Sequence, residues 1–508
     1  MQLTTEREKE IIDYSAKKNL LIEVKAIELL KERENFREIL DELLGEETFI
    51  VSRQEIENKL LKTKLAVKEE TIAEVHNRKG FRPIAREHPS SLKILEEHNT
   101  AKKDYSGVTV KDFLDMFQNK FKRLSEMLKK RHGLLPKPIK RIATASKNEE
   151  VDIIGMVYRK WQTKNGHTAL HLEDLEEKCI VLALKSDALL FRLAEHVLQD
   201  DVIGIKGTKF SENLVIAREI LWPDIPLRKQ KTIENRLSIA GLSDMHVGSR
   251  LFLEKEFNDF LSWISGKCPK KEKETVGRIK YILVTGDNVD GIGIYPNQFR
   301  DLRIRDIFRQ YEEFCRLIAQ IPEYIEVVIA PGNHDSVRRA DPQPAIEEEL
   351  VKELKHYSNI HLVGSPAWLE IEGLRVLMYH GASIHDLIAS TGFLSYLQPE
   401  KAMIELLIKR NLMPTYGMGQ PYTPTKNDSM VIKELPDYVF CGDMHHNGYA
   451  NYRGTTIINS GTWQARTAYQ SKLGHIPTPG VVPIVELDTA KIREKRFYLE
   501  KSGEQHAG

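Results

Sequence analysis

The sequence has few of the features that would place a chain in a membrane or in an oxidising compartment. Its 508 residues include only four cysteines, widely spaced and without a C-x-x-C pair, which argues against a zinc ribbon and predicts reduced thiols. No apolar run approaches the roughly 18 residues that a membrane-spanning helix needs, and the charged start holds no apolar signal segment. We therefore expect a soluble, cytoplasmic protein with no membrane contact.

Net charge is also nearly absent. The 75 basic and 74 acidic residues give a formal charge of +1, so the chain as a whole has no electrostatic attraction to nucleic acid. Any contact with DNA must come from local basic patches or from a partner chain. The hydrophobic fraction of 41% supports real cores, and the length predicts two to four domains.

Five short apolar runs each end in residues that bind metals. The runs are 238–242, 281–285, 326–330, 374–379 and 438–441, and each is typical of a buried strand. The residues that follow them are Asp244 and His246, Asp287 and Asp290, Asn333, His334 and Asp335, His380, and Asp443 and His445. Loops at one edge of a sheet bring such side chains together. Mixed imidazole, carboxylate and amide ligands favour manganese, iron or zinc over calcium, so the pattern predicts a dinuclear metal site.

The order D-x-H, G-D-x-x-D, G-N-H-D, H-G, G-x-x-H resembles the calcineurin-like metallophosphoesterases over residues 235–495. The resemblance implies a four-layered α/β sandwich around two divalent ions, within an expected domain at 233–498. The ligands that it implies are Asp244, His246 and His445 for the first ion, Asn333, His380 and Asp443 for the second, and Asp287 as the bridge between them.

The resemblance also gives roles to two residues outside this ligand set, and one ligand departs from the family pattern. His334 is expected to be the general acid, oriented by Asp290. The family usually has G-H-x-H in its last motif, whereas Asp443 stands here in place of the first imidazole. The added negative charge predicts manganese rather than zinc and an activity that rises toward alkaline pH. The alternative is that Asp443 points away and His446 is the ligand.

The residues before this domain divide into three predicted segments. Apolar residues at three- and four-residue spacing predict a small helical module over 1–65. Residues 66–107 lack sustained periodicity and are predicted to be a linker, with at most a short strand. Thr109 and Gly133 mark the expected start and stop of an amphipathic helix. At the other end of the chain, residues 499–508 are predicted to be disordered.

Residues 108–228 combine that helix with five alternating β runs. A helix predicted from Ala188 to Leu198 separates the third run from the fourth, which is the pattern of an OB-fold β-barrel. Such barrels bind single-stranded nucleic acid with basic and aromatic side chains. The candidates for that contact are Arg159, Lys160 and Trp161. The alternative is a barrel that only docks another protein.

Two stretches within the phosphoesterase domain have the composition of insertions. The first, 298–310, is rich in arginine, and with Arg338 it supplies candidates for contact with a phosphate backbone, Arg300 and Arg303 among them. A solvated helix face explains the same arginines. The second, 399–426, begins as a helix and ends in a Pro/Gly/Tyr-rich loop that is expected to border the site.

An OB-fold followed by a phosphoesterase resembles the small (B) subunits of replicative DNA polymerases. Because nearly all metal ligands are kept, the chain is most similar to the archaeal family D members, whose segment after G-N-H-D is close to S-V-R-R-A-D-P-Q-P. The resemblance implies a manganese-dependent 3′→5′ exonuclease that proofreads single-stranded DNA ends. The implied partners are a large polymerase subunit in a heterodimer, DNA and a sliding clamp.

Two other functions stay open at this stage. One is a purely structural small subunit with a vestigial metal site, and Asp443 is the only residue in its favour. A metal-dependent phosphatase or phosphodiesterase is the other. The preceding OB-fold argues against it, and so does Gly291, which stands where phosphoprotein phosphatases have a phosphate-binding arginine.

Overall fold

The computed structural model describes residues 6–18, 21–31, 36–45, 50–51, 56, 81–95, 107–425, 427–472 and 474–499. They belong to two compact units, one within residues 1–81 and one within 82–508. The predicted disordered tail lies outside the described residues, apart from Leu499. Among the residues described, no helix is both long and apolar enough to span a membrane.

The first unit contains three short helices and a pair of two-residue strands. These elements are α1 (Glu6–Lys17), β1 (Leu21–Ile22), α2 (Val24–Leu30), α3 (Phe36–Gly45) and β2 (Ile50–Val51). The strands pair in parallel. Ile11, Leu30 and Phe36 are fully buried at the centre of the unit, so the apolar spacing that predicted helices also supplies the core.

The second unit begins inside the segment that was predicted as a linker. Helix α4 (Ile84–Glu87) is followed by strand β3 (Leu92–Ile94), which pairs antiparallel with a later strand, β13 (Ala367–Ile371). Ala85 packs into the main core of this unit. Residues 82–95 are therefore part of the folded unit and not a linker, and the pairing that orders them comes from residues far along the chain.

Helix α5 (Val110–His132) has the ends that the sequence predicted. The main-chain nitrogen of Thr109 donates to Asp112 Oδ2 at 2.7 Å, which forms a capping box. Gly133 ends the helix with a left-handed φ of 62°. The buried face of α5 packs against the barrel that follows it, with Leu124 and Leu128 among the contacts.

Five strands form a closed barrel in the order β4-β5-β6-β8-β7. They are β4 (Glu150–Gln162), β5 (Thr168–Glu173), β6 (Lys178–Ala183), β7 (Val202–Ser211) and β8 (Leu214–Leu221). A helix, α6 (Ala188–Glu195), lies between the third and fourth strands, as the sequence predicted. Alternating inward residues such as Val151, Ile153 and Ile205 fill the interior.

The rest of the second unit is built on two six-stranded sheets with the orders β12-β11-β10-β9-β18-β19 and β16-β17-β15-β14-β13-β3. The strands not yet given are β9 (Ser238–Leu242), β10 (Ile279–Thr285), β11 (Glu326–Ala330), β12 (Ile360–Leu362), β14 (Leu374–Met378), β15 (Tyr438–Cys441), β16 (Gly448–Tyr452), β17 (Thr455–Asn459), β18 (Val481–Glu486) and β19 (Ile492–Arg496). One core joins both sheets through residues such as Leu283, Val376 and Phe440.

Helices flank these sheets. They are α7 (Glu254–Ile264), α8 (Lys273–Arg278), α9 (Ile307–Ile318), α10 (Ser383–Ala389), α11 (Pro399–Lys409) and α12 (Ala468–Lys472), with 3-10 turns at Ile139–Arg141, Lys270–Glu272, Gln298–Arg300 and Lys352–His356. Strands β9, β10 and β11 are mutually parallel, and β14 is parallel to β15. The five strands predicted to deliver ligands are therefore all present.

Candidate metal centre

Five of the candidate ligands have a backbone conformation that side chains disfavour. The φ angles are 51° at Asp244, 50° at His246, 50° at Asp287, 64° at Asp443 and 54° at His445. Each such residue costs on the order of 1–3 kcal/mol and persists only where its surroundings enforce it. Main-chain hydrogen bonds hold the first loop, since Asp244 N donates to Gly286 O at 2.9 Å and His246 N to Asp287 O at 3.0 Å. The loops thereby turn successive side chains toward one place.

The first group of ligands is formed by Asp244, His246 and His445. Nε2 of His445 lies 3.1 Å from Nε2 of His246 and 3.2 Å from Oδ1 of Asp244. Oδ2 of Asp287 lies 3.8 Å from Nε2 of His246. These spacings are those of atoms that share one metal ion with bonds of about 2.1 Å.

The second group is formed by Asp287, Asn333, His380 and Asp443. Nε2 of His380 lies 3.3 Å from Oδ1 of Asp287 and 3.4 Å from Oδ1 of Asp443. The amide oxygen of Asn333 lies 2.9 Å from the same nitrogen. Asp287 thus directs one carboxylate oxygen to each group, which is the arrangement expected of the bridging ligand.

All three histidines of the two groups are held by Nδ1 and present Nε2. His246 Nδ1 lies 3.0 Å from Oδ1 of Asp290, and His380 Nδ1 lies 2.7 Å from the main-chain oxygen of Thr285. His445 Nδ1 lies 2.8 Å from the side-chain amide of Gln470. A partner on the distal nitrogen fixes the ring of a metal-binding histidine, so the centre has both its ligands and their supports.

Two buried carboxylates of the centre, Asp287 and Asp443, have pKa values below their usual range. Burial works to raise the pKa of Asp287, but His380 and His334 outweigh it and hold that pKa well below its usual range. Burial likewise opposes ionisation of Asp443, and His385 and His380 keep its pKa well below the ordinary value. For the imidazoles, burial lowers the pKa of His246. At His380 burial acts the same way, yet Asp287 raises its pKa well above the usual range. Metal binding requires deprotonated carboxylates, and the low pKa values of Asp287 and Asp443 favour that form.

Several polar atoms of the centre have no satisfactory partner among the described residues. Within them, Oδ1 of Asp244 and Oδ2 of Asp443 are buried and accept no aligned hydrogen bond. The side-chain amide of Asn333 lies 3.2 Å from both carboxylate oxygens of Asp287 and can donate to them only with its nitrogen turned toward them. Buried acceptors that face one another are costly unless a cation lies between them. The residues present therefore fit a pair of divalent ions.

His334 lies beside the ligands and is held in a different way from the sequence prediction. Its Nδ1 lies 2.8 Å from the main-chain oxygen of Asp290, while the carboxylate of Asp290 supports His246. Nε2 of His334 lies 4.0 Å from Oδ2 of Asp287. Burial would lower the pKa of His334, but the carboxylates of Asp287 and Asp290 raise it. Asp290 therefore holds His334 through its main-chain oxygen and His246 through its carboxylate.

Two residues near the ligands act differently from what the motifs suggest. Asp335, a candidate ligand in the sequence, braces the loop after β11 by accepting from Gly332 N at 2.9 Å and from Tyr311 OH at 3.0 Å. Burial and the charge of Asp287 raise its pKa to about 6. His446 turns its Nδ1 to the main-chain oxygen of Ile476 at 2.7 Å. Of the two candidates for the last ligand, Asp443 is therefore the one that faces the second group.

His385 contacts the centre without having been predicted. It lies in α10, and its Nε2 is 3.2 Å from Oδ2 of Asp443. A single histidine within the short helix Ser383–Ala389 carries no recognisable motif. Only its position one turn after His380 and Gly381 could have drawn attention to it.

The predicted nucleic-acid contacts are only partly available. Lys160 donates to the main-chain oxygen of Val197 at 2.6 Å, just after the end of α6. Arg303 forms an ion pair with Glu254 at 2.6 Å. Arg338 donates to the main-chain oxygen of Pro342 at 3.0 Å. These three side chains have structural partners that sequence spacing cannot indicate. Arg300 is exposed. On the barrel, the guanidinium of Arg159 lies 5.7 Å from the ring of Trp161, which is a pairing that can accept a nucleobase.

Comparison with known proteins gives the centre its context. A family model for the B subunit of DNA polymerases alpha and epsilon matches residues 242–450, which include every candidate ligand. The DNA polymerase II small subunit of Methanocaldococcus jannaschii is 38% identical over 419 residues, covering 82% of this chain and 70% of that protein. That of Methanothermobacter thermautotrophicus is 39% identical over 401 residues, covering 78% and 82%. That of Archaeoglobus fulgidus is 39% identical over 412 residues, covering 81% of each. The chain belongs to the family of archaeal DNA polymerase II small subunits.

Proposed function

We propose that this chain is the nuclease subunit of a heterodimeric DNA polymerase and hydrolyses single-stranded DNA from its 3′ end. The observation that supports this most directly is the pair of ligand groups that share Asp287, with Oδ1 3.3 Å from His380 and Oδ2 3.8 Å from His246. The proposal also takes the five-stranded barrel as an OB-fold and the two six-stranded sheets as a metallophosphoesterase sandwich.

The first group would hold one divalent ion and the second group another, with Asp287 between them. Bound there, the ions supply positive charge to the scissile phosphate and lower the pKa of a water molecule. Asp443 gives the second group an extra carboxylate in place of an imidazole, and oxygen-rich ligand sets favour manganese. The carboxylates of the centre therefore favour manganese, and bound divalent ions would neutralise the negative charge of these carboxylates.

His334 is the proposed general acid. With Nδ1 held by the main-chain oxygen of Asp290 at 2.8 Å, its Nε2 is the nitrogen that can donate a proton. Hydrolysis breaks the bond between phosphorus and the 3′ oxygen of the penultimate nucleotide, and that oxygen takes the proton from Nε2. The products are a 5′-mononucleotide and a shortened strand with a 3′ hydroxyl. A general-acid step of this kind contributes about 10²–10⁴-fold to the rate.

The form of the centre favours frayed ends as substrates. Asp244, His246, Asp287 and His380 are each less than 3% exposed, so a base-paired terminus has to separate before its phosphate reaches them. A mispaired terminus separates at less cost, which gives the proofreading preference. The relatives are named as small subunits, and we propose that a large subunit carrying DNA synthesis is the partner of this chain.

The test is hydrolysis by the purified chain with Mn²⁺, alone and with its large subunit. We expect mononucleotides from single-stranded DNA and from mispaired primer ends, with slower release from paired ends, and none from Asp287→Ala. Turnover of p-nitrophenyl phosphate without cleavage of DNA would identify a phosphatase. A chain that cleaves neither substrate, alone or in the heterodimer, would contradict the proposal and leave a structural subunit.

A further inference from the structure

Asp443 has two carboxylate oxygens with different surroundings. Oδ1 lies 3.4 Å from Nε2 of His380, among the ligands of the second group, whereas Oδ2 lies 3.2 Å from Nε2 of His385. Within the described part of the chain, Oδ2 is buried and accepts no aligned hydrogen bond. The imidazole of His385 is therefore the group that lies beside the negative charge on Oδ2.

His385 does not belong to the ligand set itself. The ligand atoms of Asp287, His380 and Asp443 lie close to one another and to one of Asp244, and His385 is not among them. Its side chain is 38% exposed, while that of His380 is 1% exposed. His385 thus lies on the solvent side of Asp443, outside the ligands of the second group.

The position of His385 is fixed from two directions. Its helix, α10, is anchored where Ser383 Oγ donates to the main-chain oxygen of Leu412 at 2.5 Å. Its ring lies 5.4 Å from that of Tyr396 and 6.0 Å from that of His475, with the two imidazole planes within 12° of parallel. Tyr396 and His475 are themselves 4.1 Å apart. This row of rings holds the imidazole against Asp443.

We propose that His385 is a positioning residue that holds Asp443 Oδ2 so that Oδ1 faces the second metal ion. An imidazole ligand at position 443 would have no second carboxylate oxygen for His385 to hold. A carboxylate adds a charge and a second oxygen, and it can rotate away from the ion. The contact needs only an N–H at Nε2, which the neutral ring supplies as well as the charged one.

This inference rests on the metal centre of the proposed function, and it is tested by metal binding instead of activity. The full chain, stripped with a chelator, is titrated with Mn²⁺ by calorimetry. His445→Ala and Asp443→Ala assign the two binding events to the first and second groups. We expect His385→Ala to weaken only the event that Asp443→Ala weakens, by about 10–100-fold, which is the usual effect of losing a supporting partner.

Two further variants separate positioning from general damage. His385→Gln keeps a donor at similar reach and is expected to restore most of the affinity. His475→Ala removes one ring of the same row and leaves both His385 and Asp443 in place, so it is expected to weaken the second event by less than His385→Ala and to leave the first event unchanged. Thermal unfolding in the presence of chelator checks that each variant is folded.

The decisive comparison is made in an Asp443→His background. There His385→Ala should cause no further loss, since the oxygen that it supports is gone. An equal loss in both backgrounds, or no loss in either, would overturn the assignment. A wild-type chain that binds fewer than two ions would overturn this inference together with the proposed centre, whereas two bound ions without nuclease activity would contradict only the proposed function.

Discussion

Asp290 holds two histidines by different atoms, and the difference separates their roles. Its carboxylate supports His246, whose Nε2 faces His445 at 3.1 Å. Its main-chain oxygen supports His334, whose Nε2 faces the open side of Asp287. The rings of the two histidines lie edge to face with centroids 4.6 Å apart. The proposed function gives metal binding to His246 and proton donation to His334, and the two roles can be tested separately.

Substitution of these two histidines should therefore have different consequences. His334→Ala is expected to keep two metal ions per chain and to lose about 10²–10⁴-fold in cleavage rate, because only proton donation is removed. His246→Ala is expected to lose both its cleavage activity and the ion of the first group. Metal analysis and single-turnover cleavage of single-stranded DNA measure both effects. A normal cleavage rate in His334→Ala would show that another group donates the proton.

Asp341 introduces a pH dependence of stability near neutrality. Burial raises the pKa of this carboxyl to about 7, although its Oδ2 accepts from Tyr379 OH at 2.9 Å and from Gln420 at 3.1 Å. Because the folded pKa lies above the unfolded value of about 3.9, the folded state favours the protonated carboxyl. The stability that this preference contributes is fully present at low pH and is lost as pH rises through about 7.

Asp341→Asn should remove this dependence. Relative to the variant, the wild-type free energy of unfolding should fall by up to about 1.4 kcal/mol per pH unit between about pH 4 and 7 and level off above. Denaturant titrations of both proteins at several pH values, with chelator present, measure the difference. A constant difference across this range would mean that Asp341 keeps an ordinary pKa in the folded chain.

Single residues differ in how far the sequence predicts them. The candidate ligands could be found because each follows an apolar run, and strands that pair in parallel end at one edge. The partners of Lys160 and Arg338 are main-chain oxygens that the fold supplies, and no spacing in the sequence points to them. His385 is of the same kind, because its partner Asp443 is remote in the chain and close only in the folded protein.

At the scale of elements, the loop after β11 depends on the absence of a side chain. A Cβ at Gly332 would meet Asp287 Oδ1 and would lie 2.7 Å from Cε1 of His380. Its φ is not in the left-handed region, so any effect of substitution there is steric. The glycine lets β10 and β11 bring their loops into contact at the bridging ligand.

Gly332→Ala should consequently displace Asp287 and weaken the binding of both metal ions together. Gly392→Ala serves as the matched control, because a Cβ there meets nothing within 4 Å. Mn²⁺ titration of the two variants compares them directly. Unchanged binding in Gly332→Ala would show that the loop yields without moving Asp287.

The predictability of elements follows their length and periodicity. Helix α5 has 23 residues and a capping box, and both of its ends could be located from the sequence. The five barrel strands alternate over six or more residues, which is enough for a period of two to be visible. Strand β3 has three residues, too few for any pattern, and its order comes from pairing with β13.

At the scale of the whole molecule, the described chain separates at residue 81 and not at the predicted end of the linker. Ser91 N donates to Tyr281 OH at 3.0 Å, and β3 pairs with the edge of the second sheet at Leu369 and Ile371. Residues 82–95, which precede the barrel, therefore belong to the same unit as the sheets that follow it.

Two truncations should tell these boundaries apart. Removal of residues 1–81 is expected to leave the thermal unfolding and Mn²⁺ binding of the remaining chain unchanged, because that unit has its own core. Removal of residues 1–107 also deletes β3 and Ala85, and should cost on the order of 3 kcal/mol of stability through lost apolar burial. Calorimetric unfolding of the two truncated chains makes the comparison. Equal destabilisation by both would show that the first unit supports the second.

Strand β18 has a consequence for the order in which the protein acquires its centre during synthesis. It lies in the first sheet between β9 and β19, with Ile484 paired to Ala240, although some 240 residues of chain separate the two strands. On the ribosome, β9 emerges with one of its edges open, and that edge stays open until β18 has left the exit tunnel. A chain that lacks β18 cannot complete the sheet that supports Asp244, so the metal centre should form only after β18 has been synthesised and has paired with β9.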